Sequence, residues 1–545
     1  MNFKRIPAEL LIVIGGAILL IPFLGITHLF DWDEVNFAEA SREMLVTHNY
    51  SIPQIDFQPF WEKPPLFFWF QTLAMKIFGV NEFASRLPNA IVGIITFVVL
   101  YRLGRRLLNA SFGWIWVLVY AGSLLPQLYF KSGIIDPWFN FFIFLSTYEL
   151  TLYTDERAPN KTRYIVLAGL FAGLAVMTKG PAALAILGLC YGVYAISTRF
   201  KNFMKPKHIL LFILLSLVVG GIWFLALALY GQQHIIIDFF KYQVRLFSTE
   251  DAGHGGPFFY HFIILLIGCF PAAALAILSM RSTRRYAGLP AHFHNWMLIL
   301  FWVVLILFSI VKTKIVHYSS MCYYPLTFLA AISFYQVYHH KWKLPGWTKW
   351  LEFITGFLLS VLIIAASTIE LWKPWLLKHV TIEDEFARAN LQANVYWTGW
   401  EKLPGILLLT GTLIFVIYAR KNIKAALLAL FAFAVIAINL TIVLITPRVE
   451  PYSQGAMIEF MQSKQNERCI VETMRFKSFA NYFYAMRQPD LGKDIESKVI
   501  NTNYMPDVSV YFVGKIQDAQ ANESERPNMT RLYAKNGFVF YKLKR

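Results

Sequence analysis

The sequence has 545 residues, of which 57% are hydrophobic and 15% charged, and its formal net charge is +17. Soluble globular chains carry about 25% charged residues, so this composition excludes an ordinary soluble protein. A positive net charge is also found in nucleic-acid-binding proteins. In a membrane protein, however, the positions of Lys and Arg between the apolar segments indicate the orientation of the chain. The four cysteines, Cys190, Cys269, Cys322 and Cys469, give no spacing that indicates a disulfide framework.

The apolar residues form continuous blocks and do not follow the stripe of an amphipathic helix. Residues 10–24, 209–229 and 425–445 contain no Asp, Glu, Lys or Arg. Segments of about 20 apolar residues match the hydrocarbon core of a bilayer. We therefore predict a polytopic α-helical membrane protein with about thirteen transmembrane helices. The predicted spans are 8–30, 84–107, 112–131, 137–154, 164–178, 181–197, 208–229, 257–279, 294–311, 319–338, 351–371, 404–419 and 424–445.

The first apolar block follows Lys4 and Arg5, as the apolar region of a signal peptide would. It is longer than such a region and no small-residue cleavage site follows it, so we expect it to remain as the first transmembrane helix.

Alternate loops between the spans differ in charge. One set consists of short basic connectors, which indicate the cytoplasmic side of the membrane. The N-terminus is then cytoplasmic and, after an odd number of crossings, the C-terminus lies outside. The other set includes the long loops 31–83, 231–256 and 372–403, which mix acids, histidines and aromatic residues as binding and catalytic loops do. Short strand-like runs after residue 447 predict two domains: a transmembrane domain (1–447) with external catalytic loops, and a small soluble α/β domain (448–545).

The first external loop begins with Asp31-Trp32-Asp33-Glu34. Acids at the outer end of a helix often do no more than contact water. Aromatic neighbours favour a functional carboxylate instead, because desolvation raises the pKa of a carboxyl group. Both interpretations of Asp33 and Glu34 stay open from the residues alone.

Further polar residues are expected on the same side of the membrane. Glu62-Lys63 precedes two prolines, and is either a surface ion pair or a base or metal ligand beside an anion-binding Lys. Asp136 begins a helix, where the helix dipole favours an anion. Cations at helix ends often only extend toward the interface, but few are expected on the outer side, so they favour an anionic ligand such as a phosphate. These cations are Lys179, Lys312 and Lys314.

One glycine-rich loop and the absence of known motifs bear on the cofactor. His254 lies in a glycine-rich loop, where a plain polar role is more common than metal binding. The sequence has no strong zinc motif and no phosphate-binding loop for a nucleotide. We therefore expect no nucleotide cofactor.

Taken in order, these motifs resemble the C-type superfamily of membrane glycosyltransferases. The resemblance is to the lipid A 4-amino-4-deoxy-L-arabinose transferases and, more distantly, to the protein O-mannosyltransferases. It rests on Asp33-Glu34 with the segment 38–44, and on Glu62-Lys63-Pro64, Asp136-Pro137, Met177-Thr178-Lys179-Gly180, Asp251-Ala252-Gly253-His254 and Lys312-Thr313-Lys314 with Tyr318. It fades beyond residue 340.

The resemblance implies a polyprenyl-phosphate sugar as donor and a role for each matching residue. Asp33 would be the catalytic carboxylate, with Asp136 and Glu34 as further acids. Lys63, Lys179 and Tyr318 would contact the donor phosphate, with Lys312, Lys314 and Arg42 added to that set. Glu62 and His254 would hold a divalent metal, as in some relatives. One position departs from the family pattern, because Asn36 stands where an Arg is common.

We therefore predict an enzyme that performs inverting transfer of a sugar to an acceptor at the outer face of the inner membrane. Lipid A or a related glycolipid is the expected acceptor, a protein is the alternative, and no nucleic-acid partner is expected. A secondary transporter or lipid flippase is the alternative from another class. Transporters usually have repeated halves with a site near the midplane, whereas these ionisable residues gather at one face.

Overall fold

The computed structural model describes residues 6–201, 203–248, 255–281, 288–339, 341–502 and 505–544. Up to residue 449 the elements are α1 (Ala8–Leu20), α2 (Asp33–Thr47), β1 (Gln54–Ile55), β2 (Gln58–Pro59), α3 (Leu66–Phe78), α4 (Glu82–Leu107), α5 (Ala110–Ala121), α6 (Leu124–Tyr129), α7 (Asp136–Thr154), α8 (Lys161–Lys179), α9 (Ala182–Ser197), α10 (Pro206–Leu229), α11 (Gln233–Ser248), α12 (Tyr260–Gly268), α13 (Ala272–Met280), α14 (Leu289–Ile310), α15 (Tyr323–Tyr338), α16 (Gly346–Ser367), α17 (Ile369–His379), α18 (Glu385–Leu391), α19 (Leu403–Tyr418), α20 (Ile423–Leu440) and α21 (Thr446–Val449). They are followed by α22 (Gly455–Gln462), β3 (Cys469–Thr473), α23 (Ala480–Phe483), α24 (Lys493–Thr502), β4 (Ser509–Lys515), α25 (Ala519–Glu525), β5 (Met529–Lys535) and β6 (Phe538–Leu543). Short segments of 3₁₀ or π helix lie at Val316–Cys322, Trp400–Lys402, Thr441–Ile445, Glu450–Tyr452, Pro489–Leu491 and Ile516–Asp518.

The apolar blocks of the sequence form the helices of the membrane part. Seven helices among the described residues are long and apolar enough to cross a bilayer, and the pair α12–α13, bent by 115°, makes an eighth if it is one span. Helix α10 shows the expected surface, since Leu210, Leu217, Leu225 and Leu229 are each more than half exposed. Such an apolar surface is stable against lipid and not against water. The chain is therefore a polytopic helical membrane protein, as predicted.

Small residues allow close packing where the helices cross. A Cβ added at Gly104 of α4 would lie 2.7 Å from the Cα of Gly113 in α5, so only two glycines permit this approach. Asparagine side chains cap the N-terminal ends of two of these helices. Asn81 and Asn109 each accept a hydrogen bond from the backbone N–H group three residues further along the chain.

The break between α8 and α9 is fixed by a glycine. Gly180 has φ +90°, which a residue with a Cβ rarely adopts, and an added Cβ would lie 2.7 Å from the ring of Phe239 in α11. Helix α8 therefore ends at Lys179, and α11 packs against the same turn.

The C-terminal elements surround a four-stranded sheet with strand order β3-β4-β6-β5. Strands β3 and β4 are parallel, and the β4–β6 and β6–β5 pairs are antiparallel. Buried residues on one face of the sheet, such as Val513 and Phe540, belong to the same continuous core as the membrane helices. The sheet is thus packed onto one end of the helical part.

Buried charges join α2 to this C-terminal region. Arg42 of α2 donates a hydrogen bond of 3.0 Å to the carbonyl oxygen of Arg487. The buried guanidinium of Arg487 is bonded to Glu472 and lies 3.6 Å from Asp56 and 3.5 Å from Glu496. These four residues, Asp56, Glu472, Arg487 and Glu496, are called the Arg487 cluster below.

Candidate active site

A cavity of about 570 Å³ opens beside the first residues of α2. Its walls come from α2, the loop before α3, the N-terminal end of α7, the C-terminal end of α8, α11 and the segment after α14. Polar and charged residues on these walls are Asp31, Asp33, Glu34, Asn36, Glu62, Lys63, Asp136, Asn140, Lys179, Tyr242, Gln243, His317 and Tyr318.

Two carboxylates and an imidazole meet in this cavity. The Nε2 atom of His317 lies 3.3 Å from Oδ2 of Asp33 and 4.0 Å from Oδ2 of Asp136. About a third of the Asp33 side chain is exposed, whereas Asp136 is buried. Asp33 is therefore the acid that a bound molecule can reach, and His317 fixes its orientation.

Lys179 adds a cation to the same group. Its Nζ donates a hydrogen bond of 2.7 Å to Asp136 and lies 5.4 Å from the ring centre of Tyr318. The N-terminal end of α7 supplies a partial positive charge beside the Asp136 carboxylate. Lys179 and Tyr318, which were predicted together as donor contacts, are thus brought together here.

Lys63 provides the second cation of the cavity. Its Nζ lies 3.9 Å from Glu62 and 5.0 Å from the ring centre of Tyr242 in α11. Burial lowers the pKa of Lys63, and the positive charge of Lys179 lowers it further, while Glu62 opposes both effects. Two cations that repel each other in one cavity favour an anionic ligand between them.

Glu34 was predicted to be a catalytic acid, but its contacts indicate a structural role. Its carboxylate accepts hydrogen bonds from Nε and Nη2 of Arg86 at 3.0 and 2.8 Å, and from the backbone N–H groups of Phe30 and Gly133. Arg86 holds the pKa of Glu34 below its usual value although burial alone would raise it. Glu34 therefore ties the start of α2 to the segment before Asp136, and positions the two other acids.

Three residues predicted to contact the phosphate lie elsewhere. Arg42 is buried and pairs with Glu39 through bonds of 2.7 and 2.6 Å. Lys314 donates to the carbonyl oxygens of Phe308, Ser309 and Val311, so it caps the end of α14. Lys312 is exposed and is not among the residues that line the cavity.

The predicted metal pair is only partly described. Glu62 lines the cavity, whereas His254 lies outside the described residues. Within the described ranges no group of three or more His, Cys, Asp or Glu side chains has the geometry of a metal site. Because His254 is outside those ranges, a metal ion held by Glu62 and His254 stays a prediction, and the mechanism below includes no step through one.

The sequence alone gave no role to two residues of the cavity. His317 directly precedes Tyr318 in the sequence, and its position between two acids depends on packing between distant segments. Asn36 lines the cavity and is 2% exposed, and its Oδ1 has no hydrogen-bond partner among the described residues. It occupies the position where the family commonly has Arg, so the cavity lacks that charge.

The sequence matches known membrane glycosyltransferases over part of its length. Residues 62–223 match the family described as dolichyl-phosphate-mannose-protein mannosyltransferase. The undecaprenyl phosphate-alpha-4-amino-4-deoxy-L-arabinose arabinosyl transferase of Edwardsiella ictaluri is 30% identical over 312 residues, which are 56% of this chain and 55% of that protein. The enzyme of the same name from Enterobacter sp. is 26% identical over 412 residues, covering 73% of this chain and 71% of that protein. The chain thus spans little more than half the length of some of these curated relatives.

The fold matches over nearly the whole chain. ArnT from Cupriavidus metallidurans, solved in complex with undecaprenyl phosphate, superposes with a TM-score of 0.77 at 17% identity, covering 98% of this chain and 97% of that one. Its apo structure gives a TM-score of 0.75. The resemblance predicted from the short motifs is confirmed: the chain is similar to C-type membrane glycosyltransferases in sequence, and shares the fold of ArnT from end to end.

Proposed function

We propose that this protein transfers a sugar, with inversion, from a polyprenyl-phosphate carrier to an acceptor at the outer face of the inner membrane. The observation that carries the proposal is the convergence of Asp33, Asp136 and His317 with Lys63 and Lys179 in one cavity. Relatives named as undecaprenyl phosphate-linked arabinosyl transferases support this donor class, and a phosphate needs the cations that this cavity holds.

The cations act on the leaving group. As the acceptor oxygen forms a bond to the anomeric carbon, the bond from that carbon to the phosphate oxygen breaks and the lipid phosphate gains negative charge. Lys63 and Lys179 stabilise this charge inside a cavity that is partly shielded from water, where such an interaction is strong. Tyr318 lies against Lys179 and orients it.

Asp33 acts on the acceptor. If the acceptor is a hydroxyl, the Asp33 carboxylate takes its proton as general base. If it is an anionic phosphate, as on lipid A, Asp33 orients it and no proton moves. His317, which lies between Asp33 and Asp136, holds Asp33 in place in both cases.

The acceptor that we propose is lipid A or a related glycolipid. The resemblance of the sequence motifs to lipid A arabinose transferases favours this acceptor, and the chain is similar in sequence to arabinosyl transferases. A protein acceptor is the second candidate, favoured by the match of residues 62–223 to the protein mannosyltransferase family. The donor class is the same in both.

We further propose about thirteen crossings, with the N-terminus cytoplasmic and the cavity periplasmic. Each predicted span overlaps a helix or a consecutive helix pair among the described residues, which supports this count. We divide the chain into a transmembrane domain (1–447) and a periplasmic domain (448–545), supported by the sheet β3–β6. No nucleotide cofactor enters the proposed reaction.

The test is turnover by the purified protein in detergent, with a polyprenyl-phosphate sugar, lipid A and no ion gradient. We expect sugar transfer by the wild type and loss of about 10²-fold or more in Lys63→Ala and Lys179→Ala, since each removes one charge from the leaving-group site. The cytoplasmic-side variant Lys343→Ala should keep its activity. A transporter or flippase would transfer no sugar under these conditions, and that result would contradict the proposal.

A further inference from the structure

One segment of the C-terminal region reaches the mouth of the cavity. The backbone N–H of Phe479 lies 3.5 Å from Oδ1 of Asp31, and the Ser478 hydroxyl also bonds this carboxylate. The ring of Phe479 packs edge-on against Trp32 with centroids 4.8 Å apart. Asp31 and Trp32 line the cavity and directly precede Asp33. The segment is therefore fixed beside the acid that faces the acceptor.

A lysine extends from this segment across the aromatic rings. The Nζ of Lys477 lies 4.8 Å from the ring centre of Trp32 and 5.0 Å from that of Phe479. Its side chain is exposed, and no carboxylate in the described ranges lies within ion-pair distance of it. The ammonium group is thus held in one place by two rings while its charge remains available to a ligand.

Exposed apolar side chains lie at the same edge of the cavity and in the chain just before it. Phe30 is 46% exposed and Trp32 is 39% exposed, and both line the cavity. Phe23 and Ile26, which follow α1, are 56% and 36% exposed. An apolar edge beside a fixed cation matches an anionic amphiphile, whose acyl chains lie in the bilayer and whose charged headgroup lies at the interface.

We propose that Lys477 and Trp32 form the acceptor subsite, and that this subsite binds a phosphate-bearing glycolipid headgroup. The proposal deepens the proposed function and rests on it. We assign Lys63 and Lys179, which line the cavity, to the donor phosphate. Lys477 is not among the lining residues and lies against Trp32 at the cavity edge, so we assign it to the acceptor. It acts as a specificity-determining residue that selects an anionic lipid over a neutral one.

The experiment uses purified full-length protein and two probes, lipid A with its phosphates and the same lipid A after phosphatase treatment. Initial rates are measured against acceptor concentration at saturating donor for the wild type, Lys477→Gln and Lys477→Arg. Lys535→Gln is the matched control, since Lys535 is an exposed lysine of the same region that already pairs with Glu459. Binding of each lipid to the protein in nanodiscs is measured separately, without donor.

We expect Lys477→Gln to raise the KM for phosphorylated lipid A about tenfold, the effect of one lost charge-assisted contact. The nanodisc affinity for the dephosphorylated lipid and the KM for the donor should not change, and Lys477→Arg should restore most of the affinity for phosphorylated lipid A. The nanodisc affinity for phosphorylated lipid A should fall by a similar factor, whereas Lys535→Gln should behave as the wild type.

Three outcomes would overturn the acceptor subsite: an unchanged KM for phosphorylated lipid A, an equal loss of nanodisc affinity for both lipids, or a change in the donor KM. Wild-type binding to both lipids with equal affinity would also overturn it. Failure of the proposed function is a different result, because the wild type would then transfer no sugar although the binding measurement could still succeed.

Discussion

Adjacent acids at the start of α2 have different environments. Successive side chains of a helix point about 100° apart. Asp33 therefore faces the cavity, whereas Glu34 faces the buried Arg86. The sequence predicted that this pair matters but could not separate the two roles, because Arg86 and Gly133 approach Glu34 only after α4 and α7 have packed. The sequence likewise could not show that Lys314 donates to three carbonyl oxygens, because these become available only where helix α14 ends.

Asp33→Asn keeps the size of the side chain but removes its charge and its ability to accept a proton. We expect an inserted, stable protein that still binds the lipid donor and whose turnover falls about 10²-fold or more, the range for loss of a general base. Glu383→Gln, at an exposed acid in the loop 372–403 that we predict to be external, is the control. Near-normal transfer by a stable Asp33→Asn protein would move the catalytic assignment to Asp136.

Glu34→Ala should act on stability instead. It leaves the buried Arg86 guanidinium without its carboxylate, and breaking a buried pair in this way costs about 3–5 kcal/mol. We expect a large fall in thermal unfolding temperature and in yield, measured in detergent beside Asp33→Asn. A Glu34→Ala protein with wild-type stability and no activity would restore the original prediction that Glu34 is catalytic.

At the scale of elements, α2 is held from both ends. Its N-terminal end is bonded to the loop before α7 through Glu34, and its C-terminal half contacts the Arg487 cluster through Arg42. The cluster has three carboxylates around one guanidinium, so the acids repel one another. Burial raises the pKa of Asp56 to about 7, although Arg487 lowers it. The folded protein therefore retains a proton on Asp56 that an exposed Asp would lose.

This difference predicts how stability depends on pH. Asp56 makes its full contribution to the free energy of unfolding below about pH 4, where an exposed Asp is also protonated. This contribution is lost as pH rises through about 7. The unfolding temperature of the wild type should therefore fall between about pH 5 and pH 8. In Asp56→Asn, which is always neutral, the fall should be smaller by about 2–4 °C. Parallel curves for the two proteins would show that Asp56 is already ionised in the folded state.

At the scale of the whole molecule, the membrane part was the most predictable. Apolar blocks specify helices locally, so each predicted span overlaps a helix. The convergence of Asp33, Lys63, Asp136 and Lys179 followed from placing their loops on one side. What the sequence could not supply was the contact between residues 31–32 and the segment 477–479, since it joins the two ends of the chain. The resemblance had also faded well before that segment.

The proposed orientation predicts which sites a membrane-impermeant thiol reagent reaches. The four native cysteines are buried and should give little background labelling. We expect Gln520→Cys to react in intact spheroplasts and Lys421→Cys to react only after lysis, since both positions are exposed but lie on opposite sides. Labelling of Lys421→Cys in intact spheroplasts would place the cavity in the cytoplasm.

The cavity walls come from segments that leave the ribosome far apart in time. Asp33 is made early, Asp136 and Lys179 follow, and His317 arrives after α14, while the partners of Asp31 and Arg42 lie beyond residue 470. A nascent or truncated chain therefore lacks both the group that orients Asp33 and the segment that fixes the cavity mouth. If the proposed function is correct, an unfinished chain in the membrane should therefore transfer no sugar.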